Sequence, residues 1–457
     1  MNWLRLRPWR RALAWLALLG PFFYLSYGLA NHWAASRAQV PSLVFDWERH
    51  IPFLAWTIFP YWSINFFYGL SLLLARTRHE LDRHGLRLLT AQVVAVGCFF
   101  AWPLAFSFGQ PAADGAAGVL FAALRGFDKP FNQAPSLHIA LAVILWDIYR
   151  RQITPRAARW VLHAWTLAIC GSVLTTYQHH FFDIPTGALL GCVCVWLWPL
   201  ERRVAVLQAW HLTREPRRLR LAVLYAVGAL VVFALALQQQ GAALWLAWPA
   251  VALLLVALNY LGLGARGFAK RTDGRVDWAA RWLFAPYRAG ARLNTRWWTR
   301  RAPAPVQVVP GLWLGRLPAD VPTVVSWAGV VDLSAEFVAP RRQPTVAVPL
   351  LDLAVPTPAQ LRRAALVIEA QRLRHGTVLV HCALGYSRSA AALVAWLVLQ
   401  RHAASMAEAV ARVRAARSTI VLDAAWLAAL AAATSTATAA PPPARVAAEP
   451  SSHRVRA

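Results

Sequence analysis

Acidic residues are scarce in this chain: 20 Asp and Glu stand against 47 Lys and Arg, a formal charge of +27. An excess of that size ordinarily points to nucleic acid. Here the basic residues are almost all arginine and gather at the ends of apolar runs, the orientation signal of membrane proteins, so no nucleic-acid partner is expected. Cysteine is scarce too. Of the five, Cys98, Cys170, Cys192 and Cys194 fall inside apolar segments and read as small core hydrophobes. A small-residue cleavage site is missing behind the basic stretch of residues 1–11 and the apolar run 12–29, so that run is expected to be a retained anchor. Internal repeats are absent.

What the chain has in excess is apolar surface: 58% hydrophobic residues and 24 tryptophans in 457 positions. That length exceeds what one core organises, and that composition implies a lipid-embedded part. A spanning helix takes about 20 mostly apolar residues, and eight candidates fit, at 12–31, 52–75, 88–108, 137–149, 160–177, 183–200, 221–238 and 242–262. Alternate connections carry the arginines: Arg76, Arg78, Arg83 and Arg87, then Arg150, Arg151, Arg156 and Arg159, then Arg202, Arg203, Arg214, Arg217, Arg218 and Arg220. The positive-inside bias then puts both termini in the cytoplasm of a protein of the cell, or inner, membrane.

Residues 263–302 mix arginine with Trp278, Trp282, Trp297 and Trp298, the composition of a helix lying on the cytoplasmic membrane surface. From 303 to 433 the pattern turns to a soluble α/β domain. Strand-like runs at Thr323–Val325, Gly329–Leu333, Thr345–Pro349 and Thr377–His381 alternate with helical runs at Pro358–Leu373, Ser389–Arg401 and Ser405–Ala416. The tail, 434–457, is too polar and proline-rich to pack and is expected to be disordered.

Within that α/β stretch, His381-Cys382-Ala383-Leu384-Gly385-Tyr386-Ser387-Arg388-Ser389 joins a buried strand to an amphipathic helix. Such a loop aims the backbone N–H groups of residues 383–388 at one point at a helix N-terminus, an anion site by geometry and dipole. A cysteine there is expected to be largely thiolate, the form that attacks phosphorus. Arg388 can clamp two phosphate oxygens, and Gly385 lets the loop curl. The string resembles the His-Cys-x-x-Gly-x-x-Arg-Ser signature of the dual-specificity branch of protein tyrosine phosphatases. The likeness extends to Val309-Pro310-Gly311-Leu312-Trp313-Leu314-Gly315 and Val330-Val331-Asp332-Leu333. The resemblance implies that His381 orders the loop and that Ser389 helps the thiolate leave. The general acid must come from another loop; Asp352 is favoured over Asp332 and Glu336.

A second constellation lies among the apolar segments. Gln133-Ala134-Pro135-Ser136-Leu137-His138 opens the fourth candidate span, and Tyr177-Gln178-His179-His180-Phe181-Phe182-Asp183 joins the fifth to the sixth. Ionisable residues at membrane depth point to function, and both groups fall on the extracytoplasmic face. The pattern resembles the type 2 phosphatidic acid phosphatase superfamily, in its inositol phosphoceramide and sphingomyelin synthase-like branch. Asp46, Ile51-Pro52-Phe53 and Trp56 are similar to that branch's early segment. The resemblance implies a six-helix core within residues 1–220, two further helices in 221–262, His179 as nucleophile, Asp183 as its partner and His138 as acid. The superfamily's basic first motif is not recognisable, so Arg125 or Lys129 would supply the phosphate-binding charge.

Together these readings give a polytopic α-helical membrane domain followed by a soluble α/β phosphatase domain. The expected function is bifunctional. A cytoplasmic cysteine phosphatase would act on phosphoprotein or phospholipid, and an extracytoplasmic histidine-dependent lipid phosphatase or phosphotransferase would act on membrane lipids. Both would proceed through covalent phosphoenzymes without metal or cofactor. The rival reading is a signalling phosphatase whose helices serve only as anchor.

Overall fold

A computed structural model describes residues 8–201, 206, 208, 210–239, 241–318, 327–338 and 343–435. The expected strand Thr323–Val325, Arg202 and Arg203 of the third basic connection, residues 1–7 and most of the tail, 436–457, lie outside the described residues. The chain divides into two compact units, Met1–Asn294 with Ala335–Val338, and Thr295–Ser334 with Ala339–Ala457.

The first unit is helical. Its long elements are α1 (Trp9–Ala35), α2 (Ile58–Leu74), α3 (Arg78–Ala101), α4 (Gly115–Phe127), α5 (Leu137–Gln152), α6 (Arg156–Thr175), α7 (Asp183–Leu197), α8 (Pro216–Gln239) and α9 (Ala247–Leu258). Each of the eight expected apolar segments overlaps one of these helices. Among the described residues, five are long and apolar enough to cross a membrane: Trp9–Ala35, Arg78–Ala101, Arg156–Thr175, Pro216–Gln239 and Gly241–Phe268. The helices α2, α5 and α7 are shorter, at 17, 16 and 15 residues. The amphipathic α4, in the connection between the third and fourth apolar segments, was not among the expected elements.

The short α5 packs against α2, α3, α6 and α7. Its approach to α7 depends on missing side chains. A Cβ on Gly187 would lie 2.4 Å from the Ser136 carbonyl oxygen, and one on Gly191 would lie 2.7 Å from Val143 Cβ. Small residues four apart let two helix backbones come this close. The start of α7 is thereby held beside the start of α5, and those two helix starts carry the histidine motifs.

At the opposite end of α5 a buried ion network closes the bundle. Asp147 accepts from Arg87 at 2.9 Å, Arg150 at 2.5 Å and Arg151 at 3.1 Å, and from the Trp278 indole N–H at 2.8 Å. Trp278 begins a short helix, α10 (Trp278–Leu283), whose Ala279, Ala280 and Leu283 are buried and which packs on α7. This part of the juxtamembrane segment therefore packs one face on the bundle, while Arg281 and Trp282 stay exposed. Asp147 supplies the reason: a buried carboxylate needs donors, and the indole is one. The helix after it, α11 (Ala285–Trp298), keeps Leu293, Trp297 and Trp298 exposed.

The second unit is built on a five-stranded sheet. Its strands are β1 (Val306–Val309), β2 (Leu312–Gly315), β3 (Gly329–Ser334), β4 (Thr345–Leu350) and β5 (Val378–His381), in the order β1-β2-β5-β3-β4. Among the described residues only the β1–β2 hairpin is antiparallel. The helices are α12 (Pro358–His375), α13 (Arg388–Leu399), α14 (Met406–Ala416) and α15 (Ala424–Thr434). Val378, Val380, Cys382 and every residue from Ala390 to Leu397 are packed in one core with β2, β3, α12 and α15, while Leu379 packs in a separate cluster with Trp327 and Val330. A strand buried on both faces reads as the continuous apolar run seen in the sequence. The central position of β5 and α13 fixes the loop between them.

Candidate active sites

The loop from Cys382 to Ser387 leaves the end of β5 and enters α13 at Arg388. Gly385 makes its turn possible. It sits at φ +76°, where a Cβ would lie 2.6 Å from the Gly315 carbonyl oxygen, so the position excludes any side chain on both backbone and steric grounds. The turn aims the Gly385 N–H at the Cys382 sulfur, at 3.3 Å, and the Ser389 hydroxyl donates to the same sulfur, also at 3.3 Å. The Cys382 side chain is buried, as are His381, Ala383, Arg388 and Ser389, while Leu384, Tyr386 and Ser387 are partly exposed.

Arg388 is held by its own helix start and by the neighbouring β4 end. Its Nη1 donates to the Leu350 carbonyl at 3.0 Å, and Nη2 lies 2.9 Å from Asp352 Oδ1. Asp352 is 33% exposed, so it can face an incoming substrate. Asp332 is fully buried, and its Oδ1 accepts both the N–H and the hydroxyl of Ser334, at 2.8 and 2.6 Å. Glu336 is buried as well. His381 Nδ1 lies 3.2 Å from the Cys382 carbonyl oxygen and its Nε2 is 3.9 Å from Asp332 Oδ1. The histidine thus links the cysteine's backbone to the floor of the sheet.

One residue that sequence reasoning missed braces the loop. The buried Arg417 donates to the carbonyls of Ala302, Ala304 and Leu384 and lies 5.7 Å over the Tyr386 ring, while Tyr386 donates to the Trp298 carbonyl at 2.9 Å. Burial lowers the guanidinium's pKa, as expected for a cation removed from water, against a raising influence from Tyr386 and Cys382. Nothing in the spacing from the cysteine string marked it.

Residues 324–436 match the family model of the dual specificity phosphatase catalytic domain. The second unit is a phosphatase domain of this type. Among solved structures the chain is similar to Tk-PTP in its active form, at 26% identity over 29% of this chain and 97% of that one, with a TM-score of 0.25. It is also similar to human DUSP28, at 27% identity over 28% and 94%, TM-score 0.26. A mouse dual specificity phosphatase complexed with zinc tungstate matches at 28% identity over 28% and 84%, TM-score 0.26. No curated protein matches the chain. The hairpin β1–β2 precedes the matched residues and completes the phosphatase sheet.

The helical unit brings the histidine motifs together at one end. A left-handed residue, Tyr177 at φ +57°, ends α6; Tyr177 N–H bonds the Leu174 carbonyl and Gln178 N–H the Val173 carbonyl, both at 3.1 Å. This is the double hydrogen bond that satisfies a helix C-terminus. A non-glycine residue there costs about 1 kcal/mol or more, and the Tyr177 hydroxyl anchors it on the Ile51 carbonyl at 2.9 Å. The reversal delivers His179 to Asp183, Nδ1 to Oδ2 at 3.0 Å, and its Nε2 to Ser136 Oγ at 3.1 Å. With Nδ1–H donating to the carboxylate, Nε2 carries the lone pair.

His179 also lines a cavity of about 240 Å³ with Arg125, Lys129, Asp128, Gln133 and Gln178. Both candidate phosphate-binding cations therefore reach the same space as the candidate nucleophile. His138 is not on that wall. It stacks on Tyr61 with ring centroids 4.1 Å apart, and its buried Nε2 has no hydrogen-bond partner among the described residues.

Two carboxylates here escaped the sequence reading. Asp46 is exposed, but Glu48 is buried and takes His180 Nδ1 at 3.0 Å and the Phe181 N–H at 2.9 Å. Burial raises the Glu48 carboxyl, yet the His180 ring and the N–H groups of Phe45 and Phe181 together hold it below its ordinary range. The Ser107 N–H donates to His180 Nε2 at 3.1 Å, which fixes a neutral ring with the proton on Nδ1. His180 is thus a clamp between two loops, whereas its neighbour His179 faces the cavity. Asp128, on the cavity wall, has its carboxyl pushed up to about 6 by burial. An acidic residue beside Lys129 in a connection poor in charge was the available signal.

Proposed function

We propose that the chain is a bifunctional phosphatase of the membrane, with a cysteine site in the phosphatase domain and a histidine site in the helical unit. The observation that carries the first is the pair of donors, Gly385 N–H and Ser389 Oγ–H, aimed at Cys382 sulfur beside the Arg388 fork. In this reading a phosphate dianion enters the loop, takes Arg388 for itself and thereby frees Asp352. Asp352, released from the ion pair, takes up a proton from solvent, and the thiolate then attacks phosphorus while Asp352 gives that proton to the departing alkoxide. Asp352, now a carboxylate, takes a proton from water, which attacks the phosphocysteine. Ser389 donates to the sulfur as it leaves as thiolate, and phosphate departs.

The second site is proposed to be of the phosphatidic acid phosphatase type, on the extracytoplasmic face assigned by the arginine asymmetry. Its support is the Asp183–His179 pair at 3.0 Å opening on a cavity with two cations. There His179 Nε2 would form the phosphohistidine, with Arg125 and Lys129 on the phosphate oxygens and Ser136 Oγ moving off Nε2. His138 would need to turn from Tyr61 to protonate the leaving group. Membrane lipids are the proposed substrates of this site, and phosphoprotein or phospholipid those of the cysteine site.

Rapid quench with a ³²P-labelled phosphate ester tests the two chemistries in one sample. The expected result is two labelled species, an acid-stable one lost in Cys382→Ser and an acid-labile one lost in His179→Ala. Label only at Cys382, with phospholipid as well as phosphopeptide, would reduce the helical unit to an anchor.

A further inference from the structure

Two cavities of the helical unit meet at Trp278, away from His179. The first, about 620 Å³, is walled by aromatic and aliphatic groups of α5, α6, α7, the start of α9 and α10, among them Trp146, Leu189, Cys192, Trp245, Trp278 and Trp282. It follows α7 from Phe182 to Cys192, about 15 Å at 1.5 Å per residue. The second, about 230 Å³, is lined by Arg87, Arg150, Arg151, Arg271, Arg275 and Glu201, among others.

Charge in the second cavity does not balance. Five arginines line it, and they share Asp147, Glu201 and Asp277. The remaining carboxylate nearby, Asp273, is 51% exposed and 3.4 Å from Arg275. At least one positive charge is left over at the rim, where Arg271 and Arg275 are 44% and 74% exposed. Arginine at such a place recognises phosphate through its planar fork. The partition between the two cavities is itself amphipathic: Arg150 lies 4.7 Å over Trp146 and 5.5 Å over Trp278, and those two rings meet edge to face at 5.0 Å.

A polar, net-cationic chamber opening beside a long apolar one has the form of a phospholipid. We propose that this junction is a binding site for an anionic glycerophospholipid, its phosphate held by Arg271, Arg275 and Arg150 and an acyl chain lying along α7. The site shares no lining residue with the cavity of His179. The lipid fastens α10 to the bundle, because Trp278 forms part of both chambers.

Native mass spectrometry of the full chain in a zwitterionic detergent tests the assignment with dioleoyl phosphatidylglycerol, dioleoyl phosphatidylcholine and glycerol phosphate as probes. Phosphatidylglycerol is expected to remain bound at least about tenfold more tightly than phosphatidylcholine, since basic groups near an anionic headgroup attract it. Glycerol phosphate is expected not to bind measurably, because it lacks the chain. Arg275→Glu should weaken phosphatidylglycerol by about tenfold or more. Leu189→Trp, which fills the apolar chamber, should abolish retention, with Cys382-dependent turnover in the same preparations showing the phosphatase domain intact. Equal retention of the two lipids, glycerol phosphate binding as tightly as phosphatidylglycerol, or wild-type retention in both variants would overturn it.

Discussion

Asp352 and Arg388 are paired at 2.9 Å, and in the proposed mechanism the phosphate dianion separates them. Removing the acid should therefore tell by leaving group. Asp352→Asn is expected to lower kcat by about 10²-fold or more for an alkyl phosphate, and far less for p-nitrophenyl phosphate, whose leaving group needs no proton. Equal losses on both substrates would mean that Asp352 only positions Arg388. Ser389→Ala should slow hydrolysis of the phosphocysteine more than its formation, seen as a larger burst followed by a slower steady state. Asp128 allows a pH prediction. Burial pushes its carboxyl up to about 6, above the ordinary range of an aspartate, so the native state holds its proton longer than the unfolded chain does. Wild-type stability should accordingly fall as pH rises from about 4 through 6. Asp128→Asn removes that loss, and its Tm relative to wild type should climb over the same interval. A flat difference from pH 4 to 7 would contradict the burial of this carboxyl.

At the scale of elements, glycines set both sites. Gly385→Ala forces a Cβ to 2.6 Å from the Gly315 carbonyl at φ +76°, and a loss of about 1 kcal/mol or more in stability is expected together with loss of cysteine-site turnover. Gly187→Val should wedge α7 from α5 and uncouple His179 from Ser136 while leaving turnover by Cys382 unchanged. These positions also show what the sequence could reveal. The strand, loop and helix around Cys382 were legible because a buried strand reads as an unbroken apolar run and the loop's residue types are dictated by anion binding. The eight apolar segments were legible by length and by arginine. The helix α4 was not, because an amphipathic connection lacks both signals. The burial of one face of α10 was hidden as well, since a tryptophan that donates to a buried carboxylate has the same sequence signature as one at a lipid headgroup. Glu48 and Arg417 lie 132 and 35 residues from the His180 and Cys382 they serve. Only tertiary contact could reveal them, because their partners come from other elements.

Over the whole molecule, two phosphoryl-transfer chemistries are proposed in two separately packed units, one built on a sheet and the other on helix starts. Their independence is the central claim, and it follows from the nucleophiles: a thiolate held by loop donors owes nothing to a histidine held by Asp183. The most direct measurement is turnover by the full chain reconstituted in vesicles, with a phosphopeptide and a phosphatidic acid supplied in parallel, for wild type, Cys382→Ser and His179→Ala. Cys382→Ser is expected to abolish phosphopeptide turnover and keep a His179-dependent release of phosphate from lipid; His179→Ala is expected to do the reverse. Loss of both activities in Cys382→Ser, with none lost in His179→Ala, would contradict a second site and leave one phosphatase on a helical anchor.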